Sequence, residues 1–245
     1  MLDAAFRDRA VYLRAADALV VADLHVGRAE ASDVTVPLDE AGDLRGRLAA
    51  LLDRFDPAEA VFAGDVLHAF DRASAAAERS LRDLGDACRE AGARPVVLRG
   101  NHDTMLEGAW SGAVRDAYEL RPADDAGDGG DATRGPVVVR HGHEAPPDDE
   151  DAGLYVVGHD HPAIDVEGRR RPCYLYAEAA YRGADVLMLP AFTRLAGGAE
   201  VNGMTARDFR SPFVADADAF RPLVRAEEDD ETLTFPPLGA FRRLL

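Results

Sequence analysis

The sequence predicts an α/β fold, with a parallel sheet in the first half of the chain and an antiparallel or mixed sheet in the second. Three observations carry this. Up to about residue 100, short β-branched runs alternate with long amphipathic stretches, the pattern of parallel strands joined by right-handed helical crossovers. Beyond residue 122 the apolar runs follow one another without helices between them, as in antiparallel or mixed sheets. With 47% apolar residues in 245, the chain can bury one substantial core, so a single domain over residues 1–245 is expected.

The segments follow in order. AVYLRA (10–15) and ALVVAD (18–23) read as adjacent strands broken at Ala16 and Asp17. Leu38, Ala41, Leu44, Leu48, Leu51, Leu52 and Phe55 recur at three- and four-residue steps among acids and arginines, which predicts an amphipathic helix over 38–55. EAVFAGD (59–65) is a strand, and 71–92 a helix with Leu81, Leu84 and Cys88 on one side. RPVVLRG (94–100) is a third strand. PVVVRHG (136–142), LYVVGHD (154–160), CYLYAEAA (173–180) and ADVLMLPAF (184–192) supply later strands. PADDAGDGGDATRG (122–135) and PPDDEDAG (146–153) read as exposed or mobile acidic loops. EEDDET (227–232) and LTFPPLGAFRRLL close the domain with a short strand and a terminal segment.

Charge narrows the setting. The formal net charge is −17, and all 28 basic residues are Arg. Such a chain is strongly solvated and tolerates an ionic strength at which the Debye length falls to roughly 3 Å, which points to a halophilic, salt-rich cytoplasm. The acidity opposes diffuse nucleic-acid binding, which needs cations on phosphates. No apolar run approaches a membrane span, so a cytoplasmic protein without a membrane partner is expected. Cys88 and Cys173 stand alone and read as reduced, buried thiols rather than a disulfide or a thiolate metal site.

The chemistry lies at the strand ends. ADLHVG carries Asp23 and His25, AGDVLHAF carries Asp65 and His68, and RGNHDT carries Asn101, His102 and Asp103. RHGH carries His141 and His143, and GHDH carries His159 and His161. All seven histidines fall in these five stretches. Singly, each has a plain structural reading: Asp65 as a helix cap, Asn101 as a turn residue, and 159–161 as a polar corner. Jointly, carboxylate, imidazole and amide oxygen suit Mn, Fe, Co, Ni or Zn, and the lack of Cys ligands disfavours a structural zinc. There are donors for two ions, which at about 3.5–4 Å apart clamp a phosphate and activate a water.

D-x-H (23–25), G-D-x-x-H (64–68), G-N-H-D (100–103), H-G-H (141–143) and G-H-x-H (158–161), in this order, resemble the signature of the calcineurin-like metallophosphoesterase superfamily. The resemblance implies a four-layer α/β-β-α sandwich with a dimetal site at the strand ends. It implies that Asp23, His25 and His161 bind one ion, that Asn101, His141 and His159 bind the other, and that Asp65 bridges. Two divalent cofactors, Mn²⁺ foremost, are expected. His102 takes the role of leaving-group acid, oriented by Asp103. His68 stands where many members have Asn or Asp, and it and His143 are expected to contact substrate.

DLHVG, GDVLH, GHDHPAI and LPAFTRLAGGAEVNG (189–203) also resemble a narrower group. These are small archaeal phosphoesterases similar to the bacterial phosphoesterase found with DNA-repair ligases and helicases, and distantly to double-strand-break repair nucleases. That likeness implies a DNA or RNA phosphodiester substrate and a helicase partner. Three classes stay open: a phosphodiesterase or nuclease, a small-molecule phosphatase or nucleotide hydrolase, and a non-catalytic adaptor, which the intact ligand set argues against. Arg194 reads equally as a substrate contact or a surface ion-pair partner, Arg140 as the latter. Gly197–Gly198 reads as a turn, and Trp110 and Tyr118 as core aromatics of a helical stretch.

Overall fold

The computed structural model describes residues 2–30, 39–68, 73–121 and 135–243. Most of the expected loop at 122–135, together with Leu38 and the first residues of the helix expected from 71, lies outside them.

The first half contains β1 (Ala4–Arg7), β2 (Ala10–Leu13), β3 (Ala18–Val21), α1 (Glu40–Phe55), β4 (Glu59–Ala63), α2 (Ala75–Glu90), β5 (Arg94–Leu98), α3 (Leu106–Ala109) and β6 (Val114–Arg115). Its six strands form one sheet in chain order. β3 to β6 are parallel, as the helical crossovers require, and β1 to β3 are antiparallel. Asp39 accepts from Gly42 N at 2.9 Å and Ser74 from Ala77 N at 3.0 Å, so each long helix starts on a capping side chain.

The second half contains β7 (Ala117–Leu120), β8 (Val137–Arg140), β9 (Leu154–Val157), β10 (Pro162–Val166), β11 (Arg169–Pro172), β12 (Tyr174–Tyr181), β13 (Ala184–Met188), β14 (Ala199–Glu200), β15 (Arg221–Ala226), β16 (Glu231–Thr234) and α4 (Leu238–Phe241). Seven strands form a mixed sheet, β16-β15-β12-β13-β9-β8-β7, in which β8, β9 and β13 run parallel. β10, β11 and β14 form a small separate sheet.

Strand alternation builds the layers. Leu19, Val21 and Phe62 face Leu44, Leu48, Leu51, Leu81 and Leu84 of α1 and α2. Their neighbours Val20, Val61 and Ala63 face Val139, Leu154, Val156 and Leu187 of the second sheet. Tyr155, Val157 and Met188 point the other way, onto Ile164, Phe213, Phe220 and Phe241. Both sheets are thus covered on both faces, which is why their strands read as unbroken apolar runs. The order is helices, sheet, sheet and an outer layer, the four-layer α/β-β-α sandwich. Its outer layer consists largely of the three-stranded sheet and irregular chain, with α4 as a four-residue helix.

Two expectations need adjusting. Tyr118 lies in β7, not in a helical stretch, whereas Trp110 at the end of α3 is buried in the core, as expected. Gly198 has φ +73°, and a Cβ there would come within 2.9 Å of His161 O. This glycine thus permits close approach to a ligand loop as well as a turn. Cys88 and Cys173 are buried and unpaired with each other.

Candidate metal centre

Parallel β3, β4 and β5 bring Asp23, Asp65 and Asn101 to the same end of the first sheet. Parallel β8 and β9 bring His141 and His159 to one end of the second. The two ends are bonded across the sandwich. His159 N donates to Asp23 Oδ2 at 2.9 Å, and His141 Nδ1 lies 3.2 Å from Ala63 O. Because a carbonyl only accepts, that contact puts the His141 proton on Nδ1 and turns the Nε2 lone pair inward.

Two groups of inward atoms result: Asp23, His25 and His161, and Asp65, His141 and His159, each with its donor atoms within 4.8 Å of one another. His161 Nε2 is 3.1 Å from Asp23 Oδ1 and 3.3 Å from His25 Nε2. His141 Nε2 is 3.4 Å from Asp65 Oδ1, 3.1 Å from Asn101 Oδ1 and 3.2 Å from His159 Nδ1. Asp65 also reaches the first group, with Oδ2 3.9 Å from His25 Nε2. Among the described residues it caps no helix; Ser74 caps α2.

The backbone is bent to make this possible. Asp23 (φ +57°), His25 (+48°), Asp65 (+46°), His159 (+78°) and His161 (+49°) all occupy the left-handed region, a costly conformation for side-chain-bearing residues that concentrates at functional sites. The motif glycines are needed for closeness. A Cβ on Gly64 would stand 2.5 Å from the His141 side chain, and one on Gly100 2.2 Å from Asp65 N.

Electrostatics fit a cation. Burial draws His25 and His141 down to about 3, so both are neutral donors at pH 7. Asp23 is held at about 2, the upward push of burial being outweighed by His161, His141 and His25. Burial and the Asp23 charge push Asp65 up to about 8. Asp23 Oδ1 is wholly buried without a properly oriented hydrogen bond. Two buried carboxylates among inward lone pairs, one oxygen unsatisfied, form a donor set that divalent cations complete.

The other expected residues are placed as follows. His102 stands beside Asp65, its Nε2 3.8 Å from Oδ2, and burial lowers its pKa. Asp103 is fully buried, accepting Gly100 N at 2.8 Å, Val66 N at 3.1 Å and Leu67 N at 2.8 Å. It ties the loop after Asp65 to the loop that carries Asn101 and His102. His68 lies 5.4 Å ring to ring from His25, and His143 5.1 Å from His141, so both flank the donors. Arg194 is taken by Asp43 at 3.1 Å and Asp8 at 3.3 Å, in the ion-pair role. Arg140 pairs with Glu150. Asp160 was missed: its carboxylate accepts Arg210 N and Ser211 N at 2.9 and 3.0 Å, pinning the loop of His159 and His161. Its place between two ligand-type histidines was the available signal.

Fold and site define a phosphoester hydrolase with a divalent-metal centre. The chain belongs to the calcineurin-like phosphoesterases, whose family model matches residues 17–163. No curated protein matches it. Among solved structures, nuclease MPE of Pseudomonas putida is 24% identical, with TM-score 0.57 over 89% of this chain and 88% of that one. YfcE, a phosphoesterase from E. coli, is 14% identical with TM-score 0.47 over 90% and 98%. No helix among the described residues is long and apolar enough to cross a membrane.

Proposed function

We propose that this chain is a phosphodiesterase of nucleic acids that uses two divalent ions, Mn²⁺ foremost, working in a salt-rich cytoplasm and partnering a helicase. The observation that carries the hydrolytic part is the junction of the two donor groups at Asp65, with His102 beside it. The fold shared with a nuclease and the narrower sequence resemblance support the polymer substrate. Divalent ions bound there supply Lewis acidity, bringing the pKa of a water from about 15.7 toward 7 and offsetting phosphoryl charge. The chain's own residues do the rest. Asp23, His25 and His161 would hold one ion, Asn101, His141 and His159 the other, and Asp65 would serve both. His102 gives a proton to the departing oxygen, while Asp103 and Asp160 keep the loops in register.

The test is hydrolysis in high salt, with Mn²⁺ against chelator, of a phosphodiester, a phosphomonoester and single- and double-stranded DNA. Metal-dependent cleavage of diester and DNA that is lost in Asn101→Ala is the expected result. Monoester cleavage alone would replace this reading with a small-molecule phosphatase, and inactivity with two ions bound would replace it with an adaptor.

A further inference from the structure

One cation next to the donor cluster has no part in the roles above. Arg28 N donates to His25 O at 3.0 Å, closing a turn that keeps the two Cα atoms within about 7 Å. Val26 bridges to Leu67, and its carbonyl accepts His68 N at 2.9 Å, so the turn lies against the loop of His68. The turn is locked from behind. Gly27, Arg28 and Ala29 donate their amides to the Glu40 carboxylate at 3.0, 3.1 and 3.4 Å, and Glu40 is the first residue of α1.

Arg28 is half-buried, and among the described residues its side chain has neither an ion pair nor a hydrogen bond. Arg47, Arg140 and Arg194, by contrast, are all held by carboxylates. The Arg28 turn is hydrogen-bonded to His25 and abuts the His68 loop, and the His25 and His68 rings lie 5.7 and 6.3 Å from that of His102. It therefore lies on the Asp23–His25–His161 side of the centre, with His102. In a chain of net charge −17, a guanidinium with no carboxylate partner among the described residues, on a turn against His25 and the His68 loop, is suited to an incoming anion, and its planar fork matches phosphoryl oxygens.

We propose that Arg28 binds a phosphoryl oxygen of the substrate on the His102 side of the centre, and that Glu40 is the positioning residue that fixes the Arg28 turn. This rests on the phosphoesterase reading, so the test includes a binding measurement that needs no turnover. The wild type, Arg28→Ala, Arg28→Lys and Glu40→Gln are loaded with Mn²⁺, and their metal content and melting temperature are measured. Binding of inorganic phosphate is followed by calorimetry, and KM and kcat are measured with bis-p-nitrophenyl phosphate. Arg28→Ala should keep its ions and its fold while phosphate affinity falls about 10- to 100-fold, the range of a charge-assisted hydrogen bond, and KM rises in step. Arg28→Lys should recover part of the loss. Glu40→Gln should weaken phosphate less, with kcat largely kept.

Unchanged phosphate affinity and KM in Arg28→Ala would overturn the proposal, and so would loss of metal, which would make the residue structural. Wild type that binds phosphate through Arg28 yet turns over no ester would sink the hydrolase reading and leave the Arg28 assignment standing. Turnover with phosphate affinity independent of residue 28 would do the reverse.

Discussion

The two donor groups are made of the same residue types and differ in charge balance. Asp23 is ringed by imidazoles that hold it at about 2, and in return it raises His161 against the downward pull of burial. Asp65 has the burial with less relief, from the His102 amide and His161, and the neighbouring Asp23 charge adds to the cost, so it stands at about 8. One carboxylate is kept ionised by the rings around it, His161 first. The other, whose two oxygens face His25 and His141, calls for a cation from outside.

Removing Asp65 should therefore erase the comparison altogether. Asp65→Ala is expected to lose bound divalent ion from both groups and to lower turnover well beyond the roughly 10- to 100-fold typical of residues behind the ligands. Metal analysis and diester hydrolysis check it; two retained ions with a near-normal rate would remove Asp65 from the bridging position. Next in size is His102→Ala, which spares both groups. It should keep its ions and lose about 10²- to 10⁴-fold in rate for poor leaving groups, and much less for nitrophenyl esters. An equal loss with both kinds of ester would argue against an acid role.

The supports behind the two groups differ as well. Asp103 ties the loop of Asp65 to that of Asn101, whereas Asp160 ties the loop of His159 and His161 to residues 210–211. Asp103→Ala leaves three buried amides unsatisfied, at about 1–3 kcal/mol each, and should lower activity roughly 10- to 100-fold. Asp160→Ala strands two and should do less. Melting temperature and kcat measured together on both variants decide this, and a milder Asp103→Ala would invert the ranking.

What could be read from the sequence follows the same division. The strand ends were legible because β3, β4, β5, β8 and β9 are buried on both faces and stop at polar residues, and the donors because every histidine sits at such an end. Asp103 could not be read as a clamp, since its partners are backbone amides at 66, 67 and 100 that carry no residue signal. Arg194 was open because its partners Asp8 and Asp43 are more than 150 residues away in the chain. The exposed arginines of β11 offer no apolar run by which a strand could be read. The left-handed backbone at Asp23 and His25 was hidden because no glycine marks those positions.

The smallest expected effect isolates the charge imbalance from the chemistry. In the unfolded chain residue 65 ionises near pH 4, while in the folded protein burial and Asp23 keep it protonated up to about 8. Between those values the folded state binds the extra proton, so the wild type loses stability relative to a neutral residue as pH rises. In chelator, Asp65→Asn should therefore match the wild type near pH 4 and melt progressively higher up to about pH 8, where the difference levels off. Divalent metal should reverse the order, because it stabilises only the form that binds it. Thermal melts at several pH values with and without Mn²⁺ read this directly. A variant that melts below the wild type in chelator at pH 8 would show that Asp65 is comfortably ionised without a cation, and the contrast between the two carboxylates would fall.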